Sequence, residues 1–97
     1  MPEFKISNKA MEDLLGIARY TETTWGAKQR RMYLKMLDLT FYALAESPAH
    51  GIPCDDIRPG YLKKYAGNHV VFYRLGLGST VEVIRILHKR MDVSSHL

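Results

Sequence analysis

The chain is nearly devoid of cysteine. Cys54 stands alone among 97 residues, so no intrachain disulfide can brace the fold, and a lone cysteine fits a reducing compartment. Its simplest reading is a small apolar residue in a loop. Long apolar runs are lacking as well: none approaches the roughly 20 residues needed to cross a bilayer. No apolar stretch of the kind a secretion signal carries follows Met1-Pro2-Glu3-Phe4-Lys5. These absences lead to the expectation of a soluble cytoplasmic protein with no membrane attachment. His50, His69, His88 and His96 are scattered, and with one cysteine they match no metal-ligand spacing. There is no glycine-rich phosphate loop, because Gly76-Leu77-Gly78 falls where a hairpin turn is expected. Neither metal nor cofactor is therefore expected. Acidic residues are scarce in one part of the chain. Residues 1–57 hold seven Lys/Arg and eight Asp/Glu, a net −1, whereas residues 58–97 hold seven and two, a net +5. That asymmetry suggests an acidic partner, either nucleic acid or an acidic protein segment.

What is present fits one domain with a modest core. Phe4-Lys5-Ile6 alternates and reads as a short strand. Ser7 or Asn8 can cap the helix that follows, with Glu12 and Asp13 near its positive N-terminal end. Ala10, Leu14, Ile17 and Thr21 form its apolar stripe, widened by Met11 and Leu15. Trp25-Gly26 ends the segment, and Trp25 reads as a plug between helices and sheet. A second helix runs from about Ala27 to Glu46, burying Tyr33, Leu34, Leu37, Phe41 and Leu44, with Lys28, Arg31, Lys35 and Asp38 mostly off that face. Residues 47–60, rich in proline and glycine, read as a loop. Three strands follow, over Tyr61–Tyr65, His69–Leu75 and Thr80–His88, joined by tight turns at Gly67-Asn68 and Gly76–Gly78. Residues 91–97 read as a short polar tail. The order β-α-α-β-β-β predicts a two-layer α+β domain, a helical hairpin packed on an antiparallel meander.

The strands carry the informative pattern. An unbroken last strand puts Val81, Val83, Arg85 and Leu87 on one face and Glu82, Ile84, Ile86 and His88 on the other. Both faces are substantially apolar, and the hairpin can cover only one. A partner is expected over the second face, the alternative being that loops and the tail shield it. Arginines among β-branched residues raise the same choice: either an acidic group docks there, or the cations pair within the fold. Arg58 can pair with Asp55 or Asp56, and Asp92 with Arg90 or the tail backbone. Tyr61 and Tyr73 are ordinary sheet residues.

The set Phe4-Lys5-Ile6-Ser7, Tyr20-Thr21 with Trp25-Gly26, Asp56-Ile57-Arg58-Pro59-Gly60-Tyr61, His69-Val70-Val71-Phe72-Tyr73-Arg74 and Arg85-Ile86-Leu87-His88-Lys89-Arg90-Met91-Asp92 spans nearly the whole chain in order. It resembles the ParE toxins of the RelE/ParE toxin–antitoxin superfamily, whose β-α-α-β-β-β fold agrees with the map above. The resemblance implies a bacterial toxin that poisons DNA gyrase without hydrolytic chemistry. It also implies neutralisation by a ParD-like antitoxin whose amphipathic, acidic C-terminal segment wraps the toxin. Sequence-specific nucleic-acid binding by the toxin alone is not implied. The partner-facing candidates are Arg58, Tyr61, Arg74, Arg85, His88 and Arg90. The alternative within the superfamily is a ribosome-dependent mRNA endonuclease, with His88 as acid or base and Arg74 and Arg85 holding a phosphate. That pattern is incomplete here, since Lys89 follows His88 and no tyrosine occurs from Met91 onward. Arg85 and His88, three apart, also fall on opposite faces of an unbroken strand, although a bulge near Leu87 would change that.

Overall fold

The computed structural model describes residues 3–97. Strand β1 (Phe4–Ile6) leads into helices α1 (Asn8–Trp25) and α2 (Ala27–Glu46), followed by β2 (Ile52–Pro53), β3 (Leu62–Ala66), β4 (His69–Leu75) and β5 (Val81–His88). The strands form one sheet in the order β1-β5-β4-β3-β2. β5, β4 and β3 are the expected antiparallel meander. Two features depart from expectation. The sheet is mixed, because β1 pairs parallel with β5, which the long connection through the helical hairpin permits. The stretch read as an irregular loop also contributes β2, which pairs with β3 at Ile52–Lys63 and Pro53–Leu62. β3 starts at Leu62 rather than at Tyr61.

Local chemistry explains the helix limits. Ser7 has an extended backbone and its Oγ accepts the Ala10 N–H at 3.0 Å, satisfying one of the free donors of the first turn. The same hydroxyl donates to the Ile84 carbonyl at 2.8 Å, so the cap also fixes α1 against β5. Gly26 separates the helices at a φ of 95°, a conformation glycine tolerates and other residues resist. The hairpin packs Ala10 and Ile17 from α1, and Leu37, Phe41 and Leu44 from α2, against Val71, Tyr73, Val81, Val83 and Ile86 of the sheet. Each large aliphatic or aromatic side chain so buried contributes roughly 1.5–3 kcal/mol. Leu14 packs at the margin of this core, but Met11 and Leu15 are about half exposed and do not widen the buried stripe. Trp25, the last residue of α1, is 69% exposed, so it is not a plug.

The far face of the sheet is closed by the chain itself. Val70, Phe72 and Leu87 cluster there with Cys54, and Ile57, Tyr61, Val93 and Leu97 pack over them. The expectation that a partner covers this face is therefore overturned. The loop before β3 and the C-terminal segment, which the polar residues of 91–97 disguise, supply enough apolar cover between them. Asp92 caps that segment, its carboxylate accepting from the Ser94 N–H and from both Ser94 and Ser95 hydroxyls. It is not paired to Arg90.

The facing pattern on β5 also differs from simple alternation. Phe72 lies opposite Arg85 while Tyr73 lies opposite Val83, leaving Ile84 as an extra residue. This bulge, three residues before Leu87, breaks the alternation in two. Val81, Val83 and Ile86 face the helices, whereas Leu87 faces the loop and tail. Val83 and Leu87, expected on one face, lie on opposite ones.

Candidate partner-binding site

The cations singled out in the sequence do not assemble into one surface. Arg85 makes a two-pronged ion pair with Asp13 of α1, Nε to Oδ2 and Nη2 to Oδ1, both at 2.9 Å. Its Nη1 donates to the His96 carbonyl at 3.0 Å. Asp13 Oδ2 also accepts the Ile86 N–H at 2.9 Å. Beyond the short β1, this is where β5 would present a bare backbone edge, and α1 supplies the missing acceptor. The Asp13 hydrogen bonds push the Arg85 pKa up, so the guanidinium is permanently charged and internally neutralised. Asp13, expected as a helix-end residue, is thus a tertiary anchor; no local signal marks a contact 72 residues away.

Arg74 pairs across the strands with Glu82 at 2.8 Å, with its side chain half exposed. Exposed pairs of this type contribute little stability. The guanidinium of Arg58 lies 5.8 Å above the Tyr61 ring. Of its two expected partners, Asp55 instead accepts the Gly60 N–H at 2.7 Å, and Asp56 forms no ion pair with it among the described residues. Among the described residues Arg58 and Arg90 form no ion pair. His88 sits opposite His69 across β4 and β5, with ring centroids 5.4 Å apart. Its Nδ1 accepts the Arg90 N–H at 3.1 Å. Because the bulge falls at Ile84 and not near Leu87, Arg85 and His88 remain on opposite faces. Arg74, Arg85 and His88 therefore do not converge on one reacting centre.

A different surface is open. On α2, Met32, Met36, Leu39 and Ala43 recur at helical spacing as a second apolar stripe beside the core-facing one. Met32 and Leu39 are more than half exposed. Met36, Leu39, Thr40 and Ala43 line a mostly apolar groove of about 360 Å³ with Leu44, His50 and Lys64. Lys28 and Lys35, both exposed, flank the stripe along the helix. This stripe was readable in the sequence, but the stronger core periodicity of the same helix masks it.

The molecule thus combines a two-layer α+β fold and a closed far face with internal pairing of Arg74 and Arg85 and an open groove on α2. Comparison with known proteins makes the assignment specific. Residues 4–93 match the family model described as ParE toxin of type II toxin-antitoxin system, parDE. Toxin ParE1 of Caulobacter vibrioides is 40% identical over 97 residues, spanning 100% of this chain and 99% of that one. Toxin ParE1 of Mycobacterium tuberculosis is 40% identical over 94 residues, 97% of this chain and 96% of the relative. Toxin ParE of Escherichia coli is 32% identical over 97 residues, covering 100% and 94%. A solved structure titled as the chromosomal ParDE TA system from P. aeruginosa superposes with a TM-score of 0.77 at 18% identity, over 91% of this chain and 96% of that one, which shows the shared fold. The chain belongs to the ParE toxin family of type II toxin–antitoxin systems.

Proposed function

We propose that this toxin acts by binding DNA gyrase rather than by hydrolysing RNA, in the bacterial cytoplasm, and that a ParD-like antitoxin silences it by laying an acidic amphipathic helix into the groove beside α2. The observation that carries the antitoxin reading is the stripe of exposed Met32, Leu39 and Ala43 around a half-buried Met36, with lysines along its flank. An apolar helix face matched by acidic flanks is the complement of such a groove, with the apolar contacts giving affinity and the charges orientation. Among the described residues no helix is long and apolar enough to cross a membrane, which accords with the proposed compartment. Arg58, Tyr61 and Arg90, which are at least partly accessible, are assigned as secondary contacts. Arg74, Arg85 and His88 would act through the internal bonds that shape the sheet. The non-enzymatic reading is supported by the separation of those three side chains, since acid–base cleavage of RNA needs its groups within hydrogen-bond reach of one phosphate.

Purified toxin added to gyrase should block supercoiling and leave ribosome-bound mRNA intact. Cleavage of that mRNA, abolished by His88→Ala, would replace this reading with the endonuclease one. For the antitoxin, Leu39→Asp should weaken the toxin–antitoxin complex at least tenfold while leaving the supercoiling block in place. An unchanged complex would exclude the α2 groove.

A further inference from the structure

Tyr33, His69 and His88 are the remaining cluster of titratable groups, and nothing in the proposed function uses it. Tyr33 reaches from α2 over the β3–β4 turn. Its oxygen accepts the Asn68 N–H at 2.9 Å and lies 2.6 Å from His69 Nδ1. The amide has a fixed hydrogen and must be a donor, so the tyrosine's single hydrogen is free for Nδ1. With that hydrogen given to Nδ1, His69 accepts there, and its neutral ring carries its proton on Nε2. The rings of Tyr33 and His69 meet edge to face at 5.5 Å, and His88 packs against the other side of His69 at 5.4 Å. The turn is held close to α2: a Cβ at Gly67 would fall 2.7 Å from the Tyr33 oxygen and 2.9 Å from Met36 Cε.

We infer that these three side chains form a proton-operated latch, which fastens the β3–β4 turn to α2 while His69 is neutral and loosens it when His69 takes up a proton. Protonation turns Nδ1 from acceptor into donor. The Tyr33 oxygen would then face two donors, and its own hydrogen would lose its acceptor at a half-buried position. The new cation would also lie against His88 of β5. The groups around it decide how readily this happens. Burial, and after it His88, lower the His69 pKa, whereas Asp13 of α1 raises it, its charge already engaged by Arg85. From α2 the facing titratable group is Tyr33, whose own pKa burial raises, so it stays protonated throughout. Met36, beside the latch, also lines the α2 groove, so the two share one side chain.

Two measurements on the free toxin test this. In Tyr33→Phe the hydroxyl that favours neutral His69 is gone, so the His69 midpoint followed by NMR should rise by roughly 0.5–1 pH unit. An unmoved midpoint would refute the latch. In the wild type, protection of the Asn68 amide against hydrogen exchange, corrected for the intrinsic effect of pH, should fall about fivefold from pH 7.5 to 5.5. In His69→Gln, which cannot gain a proton, it should stay constant. Loss of protection in that variant too, or none in the wild type, would overturn the proposal, and neither result bears on whether an antitoxin occupies the groove.

Discussion

Replacing Asp13 offers the sharpest test of how this sheet is held. Its carboxylate accepts from Arg85 Nε, Arg85 Nη2 and the Ile86 N–H, all at 2.9 Å. The two side chains retain 17% and 14% of their exposure, so the pair is largely but not fully out of water. Asp13→Ala leaves a mostly buried guanidinium unneutralised and a backbone donor unmet. Breaking a fully buried pair costs about 3–5 kcal/mol, and an unmet buried donor about 1–3 kcal/mol. Residual solvent access and the His96 carbonyl, which keeps its bond to Arg85, discount the sum. An expected loss of about 3 kcal/mol follows, measured by urea unfolding with an unchanged m-value. For a domain of this size it corresponds to a fall in Tm of roughly 12–24 °C. Against a total stability of about 5–15 kcal/mol, the loss is large. Arg85→Ala should cost comparably, and the double variant less than the sum of the two, because the second change removes the charge the first one orphaned. If Asp13→Ala costs no more than the neighbouring substitution Glu12→Ala, within about 0.5 kcal/mol, the anchor is decorative and the account of Arg85 fails.

Other outcomes follow from the same coordinates. Leu39→Asp, on the exposed stripe, should change stability by less than about 0.5 kcal/mol, so its effect on antitoxin binding can be read without interference from unfolding. Gly51→Ala places a methyl group onto the Tyr73 hydroxyl, which donates to the Pro48 carbonyl at 2.7 Å; a cost of about 1–3 kcal/mol is expected in denaturant melts, and a neutral result would mean the turn shifts freely. His69 has a folded pKa below its ordinary value of 6.5. The unfolded chain therefore binds more protons in mild acid, so the stability His69 contributes is fully present above pH 6.5 and declines as the pH falls below it. His69→Gln should flatten that part of the stability–pH curve, and an unaltered slope would assign the acid sensitivity to other groups.

Much of this architecture is legible from the amino acids because its signals are local. Ser7, Gly26 and the Tyr33–Leu37–Phe41–Leu44 stripe set helix limits that match the structure, and the meander follows from alternation and two glycine turns. The errors have one physical source: they concern contacts between segments far apart in the chain. The bulge at Ile84 leaves no composition mark, since Val83-Ile84-Arg85-Ile86 reads as a plain strand, yet it decides which side chains meet the helices. The far face looked bare because only Val93 and Leu97 of a largely polar tail pack onto it. β2 was hidden by its length and by Pro53. The candidate site suffered most. A sequence shows that Arg85 is a cation but not that Asp13 neutralises it, and the exposed α2 stripe is hidden by the better-defined core stripe on the same helix.

The strand that ties β1 to the meander comes last of the five in chain order. β5 holds β1 on one side and β4 on the other, and Ser7 reaches 77 residues along the chain to the Ile84 carbonyl. Until Val81–His88 is made, the helical hairpin has only the part of its floor that β3 and β4 supply, and the first strand has no neighbour. Long-range pairing of this kind makes closure late and cooperative.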